Sequence, residues 1–149
     1  MMLKNKTCLV TGGSRGIGKA IVNRLVKADA HVIFTYVHDK VSADEIINDL
    51  SNYNSNIQAL QMDVSNRESV INVISLIKET NPRIDVLVNN AGINKPEDFD
   101  KIKDNDWDNV LNVNLKGPFI VTQEALPLLK KSKSPSIINI GSVSGQYGG

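Results

Sequence analysis

Five short apolar runs recur along the chain with helical patterns between them: Thr7 to Val10, His31 to Tyr36, Ile57 to Met62, Ile84 to Val88 and Ser136 to Ile140. They are rich in β-branched residues and nearly continuous rather than alternating, the pattern of strands covered on both faces of a parallel sheet. Two of the intervening segments open with the S-x-x-E signature of a capping box, Ser42 to Glu45 and Ser65 to Glu68. The spacing predicts a first helix from about Gly16 to Ala28, with Ile17, Ala20, Ile21, Leu25 and Ala28 on one face, and a long fourth helix from about Asp104 to Leu129. Strand and helix in strict alternation, joined by right-handed crossovers, predict an α/β fold with a doubly wound parallel sheet.

A chain of 149 residues is enough for one domain, and 41% hydrophobic with 22% charged residues lies well away from disordered compositions. Lys and Arg number 17 against 16 Asp and Glu, a net charge of +1 that gives no broad electrostatic reason to bind nucleic acid or an anionic membrane. Thr11-Gly12-Gly13 interrupts the first apolar run before a signal-peptide core develops, and no stretch approaches the ~18 apolar residues of a membrane span. The single Cys8 cannot form an internal disulfide and reads as a buried thiol, which fits a soluble protein of the reducing cytoplasm. No His, Cys and acid cluster has metal-ligand spacing. Asn52 to Asn56 and Lys130 to Ser136 are turn-rich connectors, and no internal repeat is present. After the fifth run the sequence from Gly141 to Gly149 offers no helix to cover the last strand, so the chain is expected to be a C-terminally truncated domain.

The sharpest motif is Thr11-Gly12-Gly13-Ser14-Arg15-Gly16-Ile17-Gly18, set between the first strand and the first helix. Backbone amides of such a turn, with the positive end of the helix dipole, make an anion site suited to a pyrophosphate. The bland alternative is a tight turn with no ligand. Gly13 to Lys19 also matches G-x-x-x-x-G-K, but the P-loop's Mg²⁺-holding hydroxyl is replaced by Ala20. The common dinucleotide spacing G-x-G-x-x-G fails as well, because Ile21 stands at its last glycine.

What fits is T-G-x-x-x-G-x-G, and with it the sequence resembles the short-chain dehydrogenase/reductase family, in particular its 3-oxoacyl-[acyl-carrier-protein] reductase-like members. Further motifs carry the resemblance in order: Asp63-Val64, Asn89-Asn90-Ala91-Gly92, Asn112 to Gly117, and Ile138-Asn139-Ile140-Gly141-Ser142. The resemblance implies a Rossmann-type sheet, here its first five strands in the order 3-2-1-4-5, forming a dinucleotide-binding domain over 1–149 that is incomplete at its C-terminal end. It implies a nicotinamide cofactor contacted by Gly12, Ser14, Arg15, Gly16, Ile17 and Gly18 of the loop, with Tyr36 at the second strand's tip. Asp63 and Val64 would lie at the adenine, and Asn90, Ala91 and Gly92 on the ribose side. For Asp63 a helix-entry turn is the alternative, since Ser65 follows it closely.

An NAD site needs a carboxylate at the end of the second strand to accept from the ribose 2′-OH. This chain has Thr35-Tyr36-Val37-His38 there, and Asp39 falls past the tip in the expected turn. Arg15 presents a fork of donors for a 2′-phosphate, and His38 and Lys40 add positive character. NADP(H) is therefore the expected cofactor, with a solvated surface charge as the alternative for Arg15.

The resemblance makes the reaction a hydride transfer that reduces a ketone, as in a 3-oxoacyl thioester, with Ser142 fixing the carbonyl oxygen. The family's proton donor is a tyrosine of a Y-x-x-x-K motif about thirteen residues beyond Ser142, and neither residue is present within this sequence. Tyr147 comes too soon and reads as a loop residue. Asn114 would position a water, and Pro118, lacking an N–H, would free the Asn114 carbonyl for it. A simple kink at Gly117-Pro118 is the alternative. His31 and Asp85 flank strands and read as structural. The resemblance further implies a small-molecule or acyl-thioester substrate and, for a full-length form, a homo-oligomer. A nucleotide-binding fragment or module without turnover is the competing reading.

Overall fold

The computed structural model describes residues 3–53 and 56–143. Tyr147 lies outside them. Strands β1 (Thr7–Val10), β2 (His31–Tyr36), β3 (Ile57–Gln61), β4 (Val86–Asn89) and β5 (Ser136–Asn139) form one parallel sheet in the order β3-β2-β1-β4-β5. Central β1 pairs Leu9 with Ile33 of β2 on one side and with Leu87 of β4 on the other. The winding direction therefore reverses between β1 and β4, and the doubly wound Rossmann-type arrangement expected from the alternation is present.

Alternation along each strand divides the core between the two faces of the sheet. Leu9, Ile33 and Leu87 pack against Val73 and Ile77 of helix α3 (Arg67–Thr80) and Ile120 and Ala125 of helix α5 (Gly117–Leu129). Cys8, Val10, Val32 and Phe34 pack on the other face against Val22 and Val26 of helix α1 (Gly16–Lys27) and Ile46 and Leu50 of helix α2 (Lys40–Leu50). Each of these large aliphatic side chains contributes roughly 1.5–3 kcal/mol on burial. Burial also pushes the Cys8 thiol up to about 12, with the nearby Asp85 carboxylate adding to the effect, so it stays protonated.

Several local expectations change. Neither Ser42 nor Ser65 is an N-cap. Helix α2 starts earlier, capped by Asp39, whose side chain accepts from the Ser42 amide at 2.9 Å. Helix α3 is capped by Asn66, which accepts from the Ser69 amide at 3.1 Å, because the Ser65 hydroxyl is already engaged with Asp63. On α1 the buried stripe is Gly18, Val22 and Val26, while Ala20 is exposed and Ile17 is 64% exposed. Ile21 and Leu25 of the expected face do pack against the core, partly buried, beside this stripe. The long helix is divided into α4 (Asp104–Leu111), a π-helical turn (Asn112–Lys116) and α5. In that turn the Gly117 amide reaches the Asn112 carbonyl, one residue further back than in an α-helix, just before Pro118.

At the amino ends of the strands Asp85 is a buried hub. Its carboxylate accepts from the Thr7 amide at 2.9 Å, the Ser132 hydroxyl at 2.6 Å and the Arg83 guanidinium at 3.0 Å, and Lys6 lies at 3.5 Å. It ties β1 and β4 to the loop preceding β5. Burial alone would raise the acid's pKa, but the bonds from Ser132, Thr7 and Arg83 outweigh it and hold the carboxyl at about 2. Against an unfolded value near 3.8, the depressed pKa makes Asp85 stabilising in full above about pH 4. That contribution, on the order of 2 kcal/mol, is lost as pH falls toward 2. Urea unfolding at pH 5 and pH 2.5 should show the loss in the native chain, and Asp85→Asn should be destabilised at pH 5 yet show a smaller acid dependence.

Candidate functional site

The carboxyl ends of the strands face a cleft of about 520 Å³ at the point where the winding reverses. Its wall includes Gly12, Ser14, Arg15, Gly16 and Ile17 of the glycine loop, and Tyr36, His38 and Asp39 after β2. Asp63 and Val64 follow β3, and Asn90, Ala91 and Gly92 follow β4. The structure thus brings together every expected cofactor residue except Gly18, which lies buried behind the loop.

The glycines have different reasons to be there. A side chain at Gly18 would place its Cβ 2.1 Å from the Gly12 carbonyl oxygen and 2.5 Å from the Asn90 amide nitrogen. That glycine lets the helix start press against the loop. Gly16, at φ +54° with nothing within 4 Å of a Cβ position, instead leaves its backbone open to the cleft.

Thr11 and Asn90 hold the loop in this shape. The Thr11 hydroxyl oxygen accepts from the amides of Asn90 and Ala91, both at 3.0 Å. The Asn90 side-chain amide donates to the carbonyls of Thr11 and Gly12, both at 2.9 Å. The Gly13 amide donates to the Thr35 carbonyl at 2.8 Å, fastening the loop to β2 as well. The Asn90 amide is thus a brace of the loop. Thr11 stood in the motif, but its role depends on the tips of β1 and β4 lying side by side, which sequence spacing does not reveal.

Helix α1 differs from its neighbours at its first turn. Where α2 and α3 are capped by Asp39 and Asn66, α1, like α4 and α5, has no side-chain cap, and like α2 it has no acidic residue in its first turn. Its unsatisfied amides and positive dipole end face the cleft beside Arg15, a donor set that fits a phosphate group. Of the basic residues expected nearby, Lys40 is engaged elsewhere, in an ion pair with Asp44 one helical turn along α2. Asp63 forms the helix-entry turn, its Oδ1 accepting from the Ser65 amide at 2.9 Å and hydroxyl at 2.7 Å, and it also lines the cleft.

A second, wider cleft of about 1070 Å³ adjoins the first across Ile17, Asn90, Ala91, Gly92 and Ile93. It contains both Ser142 and Asn114. The Asn114 side chain is clamped to Ile93, accepting from its amide at 2.9 Å and donating to its carbonyl at 2.8 Å. Its side-chain amide therefore anchors the segment after β4 to the π turn.

These features coincide with known proteins over nearly the whole chain. Residues 6–149 match the short chain dehydrogenase family. The chain belongs to that family. A 3-oxoacyl-[acyl-carrier-protein] reductase FabG of Thermotoga maritima is 38% identical over 148 residues, covering 99% of this chain and 60% of the relative. A 3-oxoacyl-[acyl-carrier-protein] reductase of Synechocystis is 38% identical over 146 residues, covering 98% of this chain and 59% of the relative. Among solved structures, the RhlG/NADP active-site complex of Pseudomonas aeruginosa superposes with a TM-score of 0.89 at 35% identity, over 96% of this chain and 57% of that one. A blue fluorescent protein from a metagenomic library, in complex with NADPH, gives a TM-score of 0.88 at 35% identity, over 100% of this chain and 60% of that one. The chain thus spans about 60% of the length of these relatives.

The Thr11 brace has a direct test. Thr11→Val keeps the shape but leaves two inward-facing amides without their acceptor, so urea unfolding should show a loss of about 2–4 kcal/mol. Thr11→Ser, which retains the hydroxyl, should recover most of it.

Proposed function

We propose that the cleft holds NADP(H) and that the protein of which these residues form the cofactor half reduces a ketone, of the 3-oxoacyl thioester kind, to a secondary alcohol. The observation that carries this reading is the uncapped start of α1 with Arg15 beside it, facing a β2 tip where Tyr36 stands in place of the carboxylate of an NAD site. The relatives named as 3-oxoacyl reductases and the neighbours seen with NADP and NADPH support it.

In this reading each group has a physical task. The amides at the start of α1 bind the pyrophosphate, and Arg15 pairs with the 2′-phosphate through charge-assisted bonds. Asp63 and Val64 flank the adenine, and the Asn90 to Gly92 segment borders the ribose. The nicotinamide, when bound, supplies the hydride. The Ser142 hydroxyl donates to the substrate's carbonyl oxygen, stabilising the negative charge that develops there. With the Asn114 side chain committed to Ile93, the water-positioning task falls to the Asn114 main-chain carbonyl near Pro118.

Fluorescence titration of the 149-residue chain should show NADPH binding. Arg15→Gln should weaken it by about 1.5–3 kcal/mol while leaving NADH nearly unchanged. Equal losses for the two cofactors would remove the NADP assignment. In the protein at the length of its relatives, Ser142→Ala should lower kcat for a 3-oxoacyl thioester by about 10²–10³, followed by NADPH absorbance, with little change in NADPH affinity.

A further inference from the structure

Asp63 and Val64, the two residues that carry the chain from β3 along the first cleft, are both held from behind. The Asp63 main chain is closed into a turn: its amide donates to the Ser69 hydroxyl oxygen at 3.0 Å, and its carbonyl accepts from the Asn66 amide at 3.1 Å. Ser69 stands in the first turn of α3, where its own amide is fixed by the Asn66 side chain at 3.1 Å. Its hydroxyl therefore ties the tip of β3 to the start of the helix. The Asp63 carboxylate follows its main chain closely, because Oδ1 accepts from the Ser65 amide at 2.9 Å and hydroxyl at 2.7 Å.

Val64 is held by a missing side chain. Gly117 is helical, with φ −56° and ψ −55°, so its backbone has no need of glycine and alanine would suit the helix better. The reason for glycine lies in space. A Cβ there would come 2.8 Å from Val64 Cγ2 and 3.1 Å from Val64 Cβ. Val64 is buried among the core residues of that face and cannot retreat, so the bare Gly117 backbone is the seat on which it rests. Neither Ser69 nor Gly117 lines a cleft, and each acts through a residue that does.

We propose that Ser69 and Gly117 are positioning residues for the base of the dinucleotide, Ser69 by setting Asp63 and Gly117 by seating Val64. This rests on the cofactor reading above, in which Asp63 and Val64 flank the adenine. The two contributions can be told apart by the base itself. Adenine carries an amino group on its edge, a donor that a carboxylate accepts, whereas hypoxanthine carries a carbonyl oxygen there, which a carboxylate repels. Preference between the two bases reports where Asp63 stands. Apolar contact with Val64 is common to both.

The test is fluorescence titration of the 149-residue chain with NADPH and with its hypoxanthine analogue, each variant being checked by circular dichroism for a native-like thermal transition. The native chain should bind NADPH roughly tenfold more tightly than the analogue. Ser69→Ala should weaken NADPH by about fivefold to tenfold and the analogue by less than about twofold, erasing the preference. Ser69→Thr, which keeps the hydroxyl, should restore it. Gly117→Ala should weaken both dinucleotides alike, by about threefold to tenfold, and most of that effect should vanish in a Val64→Ala background, where the clashing Cγ2 is gone. This second pair carries the test if Ser69→Ala does not fold. A native-like base preference in folded Ser69→Ala, a native chain indifferent to the base, or a Gly117→Ala effect equally large in both backgrounds would overturn the assignment while leaving the cofactor site standing. Failure of the folded native chain to bind NADPH would overturn the cofactor reading itself, and this inference with it.

Discussion

The site depends on the reciprocal bonding of Thr11 and Asn90. Strands β1 and β4 are neighbours in the sheet but 79 residues separate the two side chains, and at their carboxyl tips each supplies what the other lacks. The Thr11 hydroxyl oxygen takes two amides of the chain leaving β4, and the Asn90 side chain takes two carbonyls of the chain leaving β1. Unpaired, these part-buried polar groups would each cost up to about 1–3 kcal/mol, so the arrangement is specified by its pairing. Because the winding reverses between these two strands, their helices leave to opposite faces and the cleft opens between the loops. The brace fixes the floor of that cleft, and Gly18 lets α1 come down on it.

Polar bonding at the opposite end of the sheet has another purpose. Asp85 gathers Thr7, Arg83 and Ser132 there, and its lowered pKa shows that the folded chain stabilises its charge. The two ends divide the labour of the fold. The amino ends carry closed hydrogen-bond networks, while the carboxyl ends leave donors at the start of α1 for an anion. His31, also at an amino end, is held below the usual histidine range by burial, only partly offset by its bond with Asn81.

Much of this is legible in the sequence. The five strands appear within two residues of their expected limits, but the covering on both faces expected from their β-branched runs holds for β1, β2 and β4, whereas β3 is partly exposed and β5 exposed throughout. The glycine loop and the motifs after β3, β4 and β5 fell in the two adjoining clefts because in a doubly wound sheet every strand delivers its carboxyl tip to the same edge. Helix boundaries and faces were less legible. Asp39 and Asn66 displaced the serines as caps through bonds that depend on where each strand stops. The apolar pattern of α1 mixed residues facing the core with Ile17, which faces the clefts.

The sequence by itself determined the strand and helix alternation, the position of the phosphate-suited loop and the family to which the chain belongs. These are local patterns, repeated within a few residues and set by steric and burial rules that act along the chain. Tertiary structure decided which polar groups remain available. Lys40 was taken up by Asp44, Asn90 by the loop carbonyls and the Asn114 side chain by Ile93, while Arg15 was left at the wall of the first cleft. A side chain's chemistry is written in its residue type, but its partners are chosen by distances between segments far apart in the chain, and only folding sets those distances.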